Sequence, residues 1–258
     1  MSEFTTLRIE MHGHVALVTM DNPPVNALSR ALNDEITRAL DECSENADVR
    51  AVVLTGAGKV FCAGADLKAR KGLTDGPGAL TAHLRRTREC FHSIRECAKP
   101  VVIAVNGAAL GAGLAIVASG DVLIASENAS LGMPEIDVGL MGGCRHAMRL
   151  FSHSLLRRMA FTGMRVNAEE LYRRGIIEQC TTRDALVPAA LEIATTMASK
   201  SPGAASLLKH TMNTIEDMSL RDGYRYEQGM TASISKTDDA KEALAAFLEK
   251  RAPNFTGR

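Results

Sequence analysis

The stretch from Val101 to Gly120 constrains this chain more than any other, because it runs for twenty residues without a charge. As a single apolar helix, that length would span a bilayer. Pro100 precedes it, however, Asn106 interrupts it, and Gly107, Gly111 and Gly113 cluster at its middle. Proline and glycine punctuate local structure, and an amide in hydrocarbon is costly. The run therefore reads as a buried strand over 101–105, a glycine turn, and a buried helix over 113–119. A strand feeding a helix in this way belongs to the α/β class.

The flanking sequence extends the pattern. Ala51-Val52-Val53-Leu54 is a second continuous apolar run, as expected of a strand buried on both faces. Strands over 6–11 and 15–20 form a hairpin through His12-Gly13-His14, and a further strand covers 122–125. Ser29 caps a helix whose apolar residues Leu32, Ile36, Ala39, Leu40 and Cys43 share one face. The polar, glycine-rich stretch over 71–78 reads as mobile, and a helix follows over 79–97. Asn167-Ala168-Glu169-Glu170 reads as a capping box, with Gly175 as the residue after that helix. Beyond Ser201-Pro202-Gly203 the chain is helical, over 204–216, 220–235 and 238–250. Residues 1–195 thus form an α/β core. Residues 196–258 form a helical region that packs on the core or on a partner subunit.

Composition excludes several functions. Hydrophobic residues make up 46% of 258, enough for a sizeable core. Thirty basic residues balance thirty acidic ones, so the phosphate-binding surplus of a nucleic-acid protein is missing. There is no Trp and little other aromatic surface for base stacking. The six cysteines form no CxxC pair and read as reduced thiols of a cytoplasmic protein. The seven histidines show no ligand spacing and no metal motif occurs, so no metal and no resident cofactor is expected. No membrane partner is expected either.

Two small-residue loops carry the chemistry. Each follows a buried strand: Gly64-Ala65-Asp66 after the first, Gly107 to Gly113 after the second. Small residues let a ligand approach the backbone, and free N–H groups at a helix start favour developing negative charge. One N–H from each loop would make an oxyanion hole. Taken singly, either loop reads equally well as tight strand–helix packing. Gly111-Ala112-Gly113 also opens like a dinucleotide fingerprint, but Ile116 stands where the last glycine belongs. Glu135, in Gly132-Met133-Pro134-Glu135, suits a dry general acid/base; taken alone it reads more readily as a surface Glu near a helix start.

Taken together, the ordered motifs resemble the crotonase family (enoyl-CoA hydratase/isomerase) along essentially the whole chain. They are Phe61-Cys62-Ala63-Gly64-Ala65-Asp66-Leu67, Asn106 to Gly113, Gly132 to Glu135, and Gly139-Leu140. Asn22-Pro23-Pro24-Val25-Asn26-Ala27-Leu28 resembles the family's opening motif and Ala246 to Pro253 its closing one. The resemblance implies a spiral of ββα units with a C-terminal helical oligomerisation region, trimers or hexamers, and acyl-CoA substrates. It implies oxyanion-hole amides at Ala65 and Ala112. Coenzyme A contacts would fall near Ala27, Ala63, Asp66 and Leu67, and Lys250 would reach a phosphate, its own or a neighbour's.

Departures from the family pattern shape the expected reaction. Family hydratases use two glutamates; one matches Glu135, but the other position is Ala115. Family isomerases that shift a β,γ double bond keep the first and place an apolar residue at the second, as here. Dienoyl isomerases add an Asp where this chain has Gly143. Gly143 still offers its N–H to a water or the thioester. Arg145 and His146 are unusual; His146 is a candidate substitute acid/base, and Asp137 a candidate to raise the pKa of Glu135 by like-charge repulsion. A proton shuttle on an enolate, leaning towards isomerisation, is the expected function. Hydration, thioester hydrolysis and a non-catalytic acyl-CoA-binding homologue are the alternatives.

Overall fold

The computed structural model describes residues 3–67 and 76–257. Strand β1 (Leu7–His12) turns at Gly13 and pairs antiparallel with β2 (Val15–Met20). Helix α1 (Arg30–Glu45) follows, with Ser29 as its cap: the hydroxyl accepts from Leu32 N–H at 3.2 Å. All five residues of its predicted apolar face are buried. Next come β3 (Ala51–Gly56), β4 (Val60–Cys62) and α2 (Ala79–Glu96). The uncharged run resolves into β5 (Val101–Val105), β6 (Ala108–Leu110) and α3 (Ala112–Ser119). Among the described residues, no helix is long and apolar enough to cross a membrane.

The chain continues through β7 (Val122–Ser126), β8 (Ser130–Gly132) and a 3-10 turn over Pro134–Val138. Then come α4 (Cys144–Ala147), α5 (His153–Thr162), β9 (Arg165–Asn167), α6 (Ala168–Arg173), β10 (Gln179–Thr181) and α7 (Arg183–Ala198). Three helices close it: α8 (Pro202–Ile215), α9 (Leu220–Ile234) and α10 (Asp238–Glu249).

Among the described residues two sheets emerge, one of six strands in the order β1-β2-β3-β5-β7-β10 and one of four in the order β4-β6-β8-β9. The units are repetitive. β3 and β4, β5 and β6, and β7 and β8 each give a long strand to the large sheet and a short parallel one to the small sheet. This is the expected spiral. Its large sheet is covered on both faces, which is why its central strands lack polar alternation. Val52 and Leu54 of β3 face the main core with α1 and α3, while Ala51 and Val53 face the other way. There α7 lays Leu186, Ala190, Ala194 and Ala198 along the sheet at helical spacing.

Three sequence expectations need adjustment. Of the three-residue strands of the small sheet, β4 and β6 lie inside segments read as a loop and a glycine turn, and β8 and β9 fall outside every expected strand, since strands that short carry no usable period. Asn167 does cap α6, accepting from Glu170 N–H at 3.0 Å. The carboxylate of Glu170 does not complete the box, because Arg173 and Arg174 hold it at 2.6 Å each. Most of the stretch expected to be mobile, 71–75, lies outside the described residues.

The closing helices are bound to the rest by a buried ion. Lys209 of α8 is 4% exposed; its ammonium donates to Ile94 O and Lys99 O at 3.1 Å each. It also pairs with Asp121 Oδ2 at 2.8 Å, an oxygen that accepts from Val101 N–H at 2.7 Å. Replacing Lys209 with Met strands two carbonyls and a carboxylate. We expect a stability loss of about 3 kcal/mol, read as an earlier midpoint in urea unfolding.

Candidate active site

The two small-residue loops meet. Leu28 and Ala65 form an isolated parallel bridge, in which Leu28 N–H donates to Gly64 O at 2.8 Å and Asp66 N–H donates to Leu28 O at 3.4 Å. Ala65 N–H therefore faces away from that bridge, and it donates to no backbone carbonyl among the described residues. Ala112 opens α3, so its N–H has no partner within the helix. The first bond back is Ala115 N–H to Gly111 O at 3.1 Å. Gly64, at φ +102, brings the loops into contact: a Cβ there would lie 2.9 Å from Leu110 O and 3.9 Å from Ala112 N. Two unspent donors thus sit on adjoining backbone.

The strand ends that aim these loops are braced by buried amides. Asn106 accepts from Gly56 N–H and donates to Gly58 O, both at 3.1 Å. Asn26, buried at φ +50, donates to Ala57 O at 3.0 Å and to Val60 O at 2.8 Å.

Glu135 sits in the 3-10 turn after β8, opposite Gly111. A Cβ at Gly111, whose φ is +54, would fall 2.5 Å from Glu135 Oε1. A Cβ there would push the carboxylate out of that position, and the positive φ itself favours glycine. Glu135 Oε2 is buried without a hydrogen-bond partner among the described residues. Burial, slightly offset by the residue's own backbone N–H, pushes its pKa above the ordinary 4.5. Asp137 also lines the cleft, but it does not contribute to that rise, so desolvation takes the place of the expected like-charge repulsion.

A cleft of about 410 Å³ gathers Glu135, Ala65, Ala112, Gly143, Ala63 and Leu67. Gly143 closes over Ala115: a Cβ on it would lie 3.7 Å from Gly111 O and 3.8 Å from the Ala115 methyl. Position 115 thus faces the reacting space with a methyl group only. Three candidate residues are absent from the lining. Ala27 has its carbonyl tied by Ser29 N–H and the Asn22 amide, Asp66 flanks the Leu28 bridge, and Lys250 ends α10. His146 is also outside it. Its ring meets Phe91 edge-on at 5.0 Å, and burial, then His92 and three arginines, press its pKa down.

Sequence reasoning missed one wall. His83, Thr87 and Phe91 of α2, with Leu84, line the cleft. Their four-residue spacing is the signal: it marks one helix face, but polar residues on it look like a solvated stripe. Among the described residues, no group of three or more His, Cys, Asp or Glu side chains could hold a metal. All six cysteines are free.

The raised pKa of Glu135 has a consequence for stability. A carboxyl whose folded pKa exceeds its unfolded one binds more protons when folded, so stability falls as pH rises from 4.5 through the folded value. Glu135→Gln removes that penalty. The variant is expected to melt above the wild type at pH 8, with the gap closing by pH 4, in paired thermal melts.

The family model described as enoyl-CoA hydratase/isomerase matches residues 10–258. A "(7aS)-7a-methyl-1,5-dioxo-2,3,5,6,7,7a-hexahydro-1H-indene-carboxyl-CoA hydrolase" of Mycobacterium tuberculosis is 36% identical, over 92% of this chain and 95% of that one. A probable enoyl-CoA hydratase, echA8, of Mycobacterium bovis is 35% identical over 99% of both. The solved enoyl-CoA hydratase of Bacillus anthracis superposes with a TM-score of 0.92 at 32% identity, covering 98% of this chain and all of that one. The chain is a member of the enoyl-CoA hydratase/isomerase family, within the crotonase superfamily.

Proposed function

We propose that the protein binds an acyl-CoA thioester in this cleft and moves a proton on the enolate it stabilises, shifting a β,γ double bond to α,β. The observation that carries the reading is the pairing across Gly111: the unspent N–H of Ala112 on one side, the desolvated carboxylate of Glu135 on the other. The thioester oxygen accepts from Ala65 and Ala112 N–H. Glu135 removes the α-proton, the electron pair passes onto that oxygen, and the acid then returns the proton at the γ-carbon. Atoms balance without water, metal or redox partner. A single carboxylate suffices, which fits the methyl group at Ala115.

Hydration is the second reading, favoured by the names of relatives such as the Mycobacterium bovis protein. It would need a water held by Gly143 N–H and Glu135 together, since Ala115 has no proton to give. The hydrolase name of the Mycobacterium tuberculosis relative keeps hydrolysis as an outcome of the same assay. We further propose coenzyme A contacts at Ala63 and Leu67. Trimeric assembly would bury the exposed Leu220, Phe247 and Leu248, and Lys250 beside them would then face a neighbouring subunit's ligand.

The deciding assay offers a short β,γ-enoyl-CoA and its α,β isomer side by side, with products followed by mass. Isomerisation predicts that the first gains conjugation without mass and the second takes up no water. A gain of one water by the α,β substrate makes the enzyme a hydratase, and release of free CoA a thioesterase. Glu135→Gln is expected to lower turnover by roughly 100- to 10,000-fold. The acid limb of the kcat/KM profile should lie above pH 4.5, because burial raises the pKa of the base. Ala112→Pro tests the oxyanion hole. Proline is tolerated at the first position of a helix, so it deletes one donor. A loss of about 100- to 1000-fold with unchanged helix content is expected.

A further inference from the structure

The α2 wall contains a polar group that the proposed chemistry does not use. Thr87 lines the cleft, yet its hydroxyl has no hydrogen-bond partner among the described residues. Helical threonines ordinarily spend that hydroxyl on the carbonyl four residues earlier. Thr37, Thr196, Thr211 and Thr214 all do so here, at 2.7 to 3.1 Å. Thr87 does not.

Its position is informative. Phe91 stands one turn along α2, about 6 Å away, and touches His146 of α4, the helix that begins just after Gly143. The carbonyl end of the substrate is fixed at Ala65 and Ala112, and Glu135 and Gly143 flank the next carbons. The α2 face carrying Phe91, Thr87 and His83 therefore borders the space beyond them, where the acyl chain continues. Leu84, Leu140 and Met141 make the neighbouring lining apolar. Polar groups set among apolar neighbours orient a ligand and set its specificity, and Thr87 is such a group, one turn from His83 on the same face. The charged side chains on the lining, among the described residues, are the carboxylates Glu135 and Asp137, which repel an acidic chain end.

We propose that Thr87 is a specificity-determining residue that hydrogen-bonds a neutral oxygen, a hydroxyl or ketone, on the acyl chain of the substrate. The inference rests on the reading of this cleft as an acyl-CoA site and names the class of acyl group it selects. An unreactive ligand lacking the oxygen leaves the Thr87 hydroxyl unpaired in the complex, which is the source of the discrimination.

Saturated acyl-CoAs test this without turnover. Calorimetry would compare hexanoyl-CoA with six-carbon analogues bearing a hydroxyl or ketone at C4 or C5, or a terminal carboxylate. The wild type is expected to bind a hydroxyl or ketone analogue about tenfold more tightly than hexanoyl-CoA. Thr87→Val should erase that preference, and Thr87→Ser should keep it. Equal affinities in the wild type overturn the assignment. So does a Thr87→Val variant that weakens all ligands alike, or a carboxylate analogue that binds best. If no acyl-CoA binds at all, the acyl-CoA reading itself fails; binding without turnover of any enoyl-CoA instead counts against the proton-shuttle reading alone.

Discussion

The Glu135 carboxylate rests against the bare Cα of Gly111, and the rest of the site depends on that contact. A side chain at position 111 would collide with Oε1 at 2.5 Å. The same residue, at φ +54, turns the chain from β6 into α3 and leaves Ala112 N–H at the helix start. One glycine therefore sets the first N–H of α3 beside the desolvated carboxylate. The enolate reaction proposed above needs that relation, because the charge arrives at the oxygen as the proton leaves the carbon.

That relation survives only if the elements around it hold still. Glu216, at the end of α8, pairs with Arg95 of α2 at 2.6 Å and with Arg149, just past α4, at 2.8 Å. Arg149 also donates to Ala118 O near the end of α3. One carboxylate thus ties together the helix of the Phe91 wall, the helix that presents Ala112, and the short helix behind Gly143. These ions are partly buried, so they are screened less than surface pairs. With Lys209 anchoring α8 to β5 and Asp121, α8 acts as a clamp on the cleft's framework.

The sequence already contained the elements whose constraints are local. Ser29 before an apolar stripe gave α1, and unbroken apolar runs gave β3 and β5, because a strand covered on both faces has no polar residues to alternate. The two glycine loops and Glu135 were legible as separate signals, and their spacing joined them into one site. What remained hidden depends on distant partners. Glu170 looked like half of a capping box until Arg173 and Arg174 claimed it. Asp137 lies two residues from Glu135, yet the protein's burial of the carboxyl, and not that neighbour, raises its pKa. Thr87 and His83 sit in a helix rich in Arg and Glu, so their stripe looked like solvent-facing surface. Only the fold turns it toward the cleft.

In the proposed chemistry, position 115 acts through its small volume. Its methyl lies under Gly143, where even a Cβ on that glycine would meet it at ordinary van der Waals distance. Under the proposed chemistry, alanine there leaves proton transfer to Glu135, whose unpartnered oxygen would both take and return the proton. A desolvated acid with a raised pKa suits both steps, being basic enough to accept from carbon and acidic enough, once protonated, to give the proton back. In that proposal the hydroxyl of Thr87, one helical turn out from Phe91, lies beyond the reacting carbons, so the proton chemistry would sit at one residue and recognition of the chain at the facing helix.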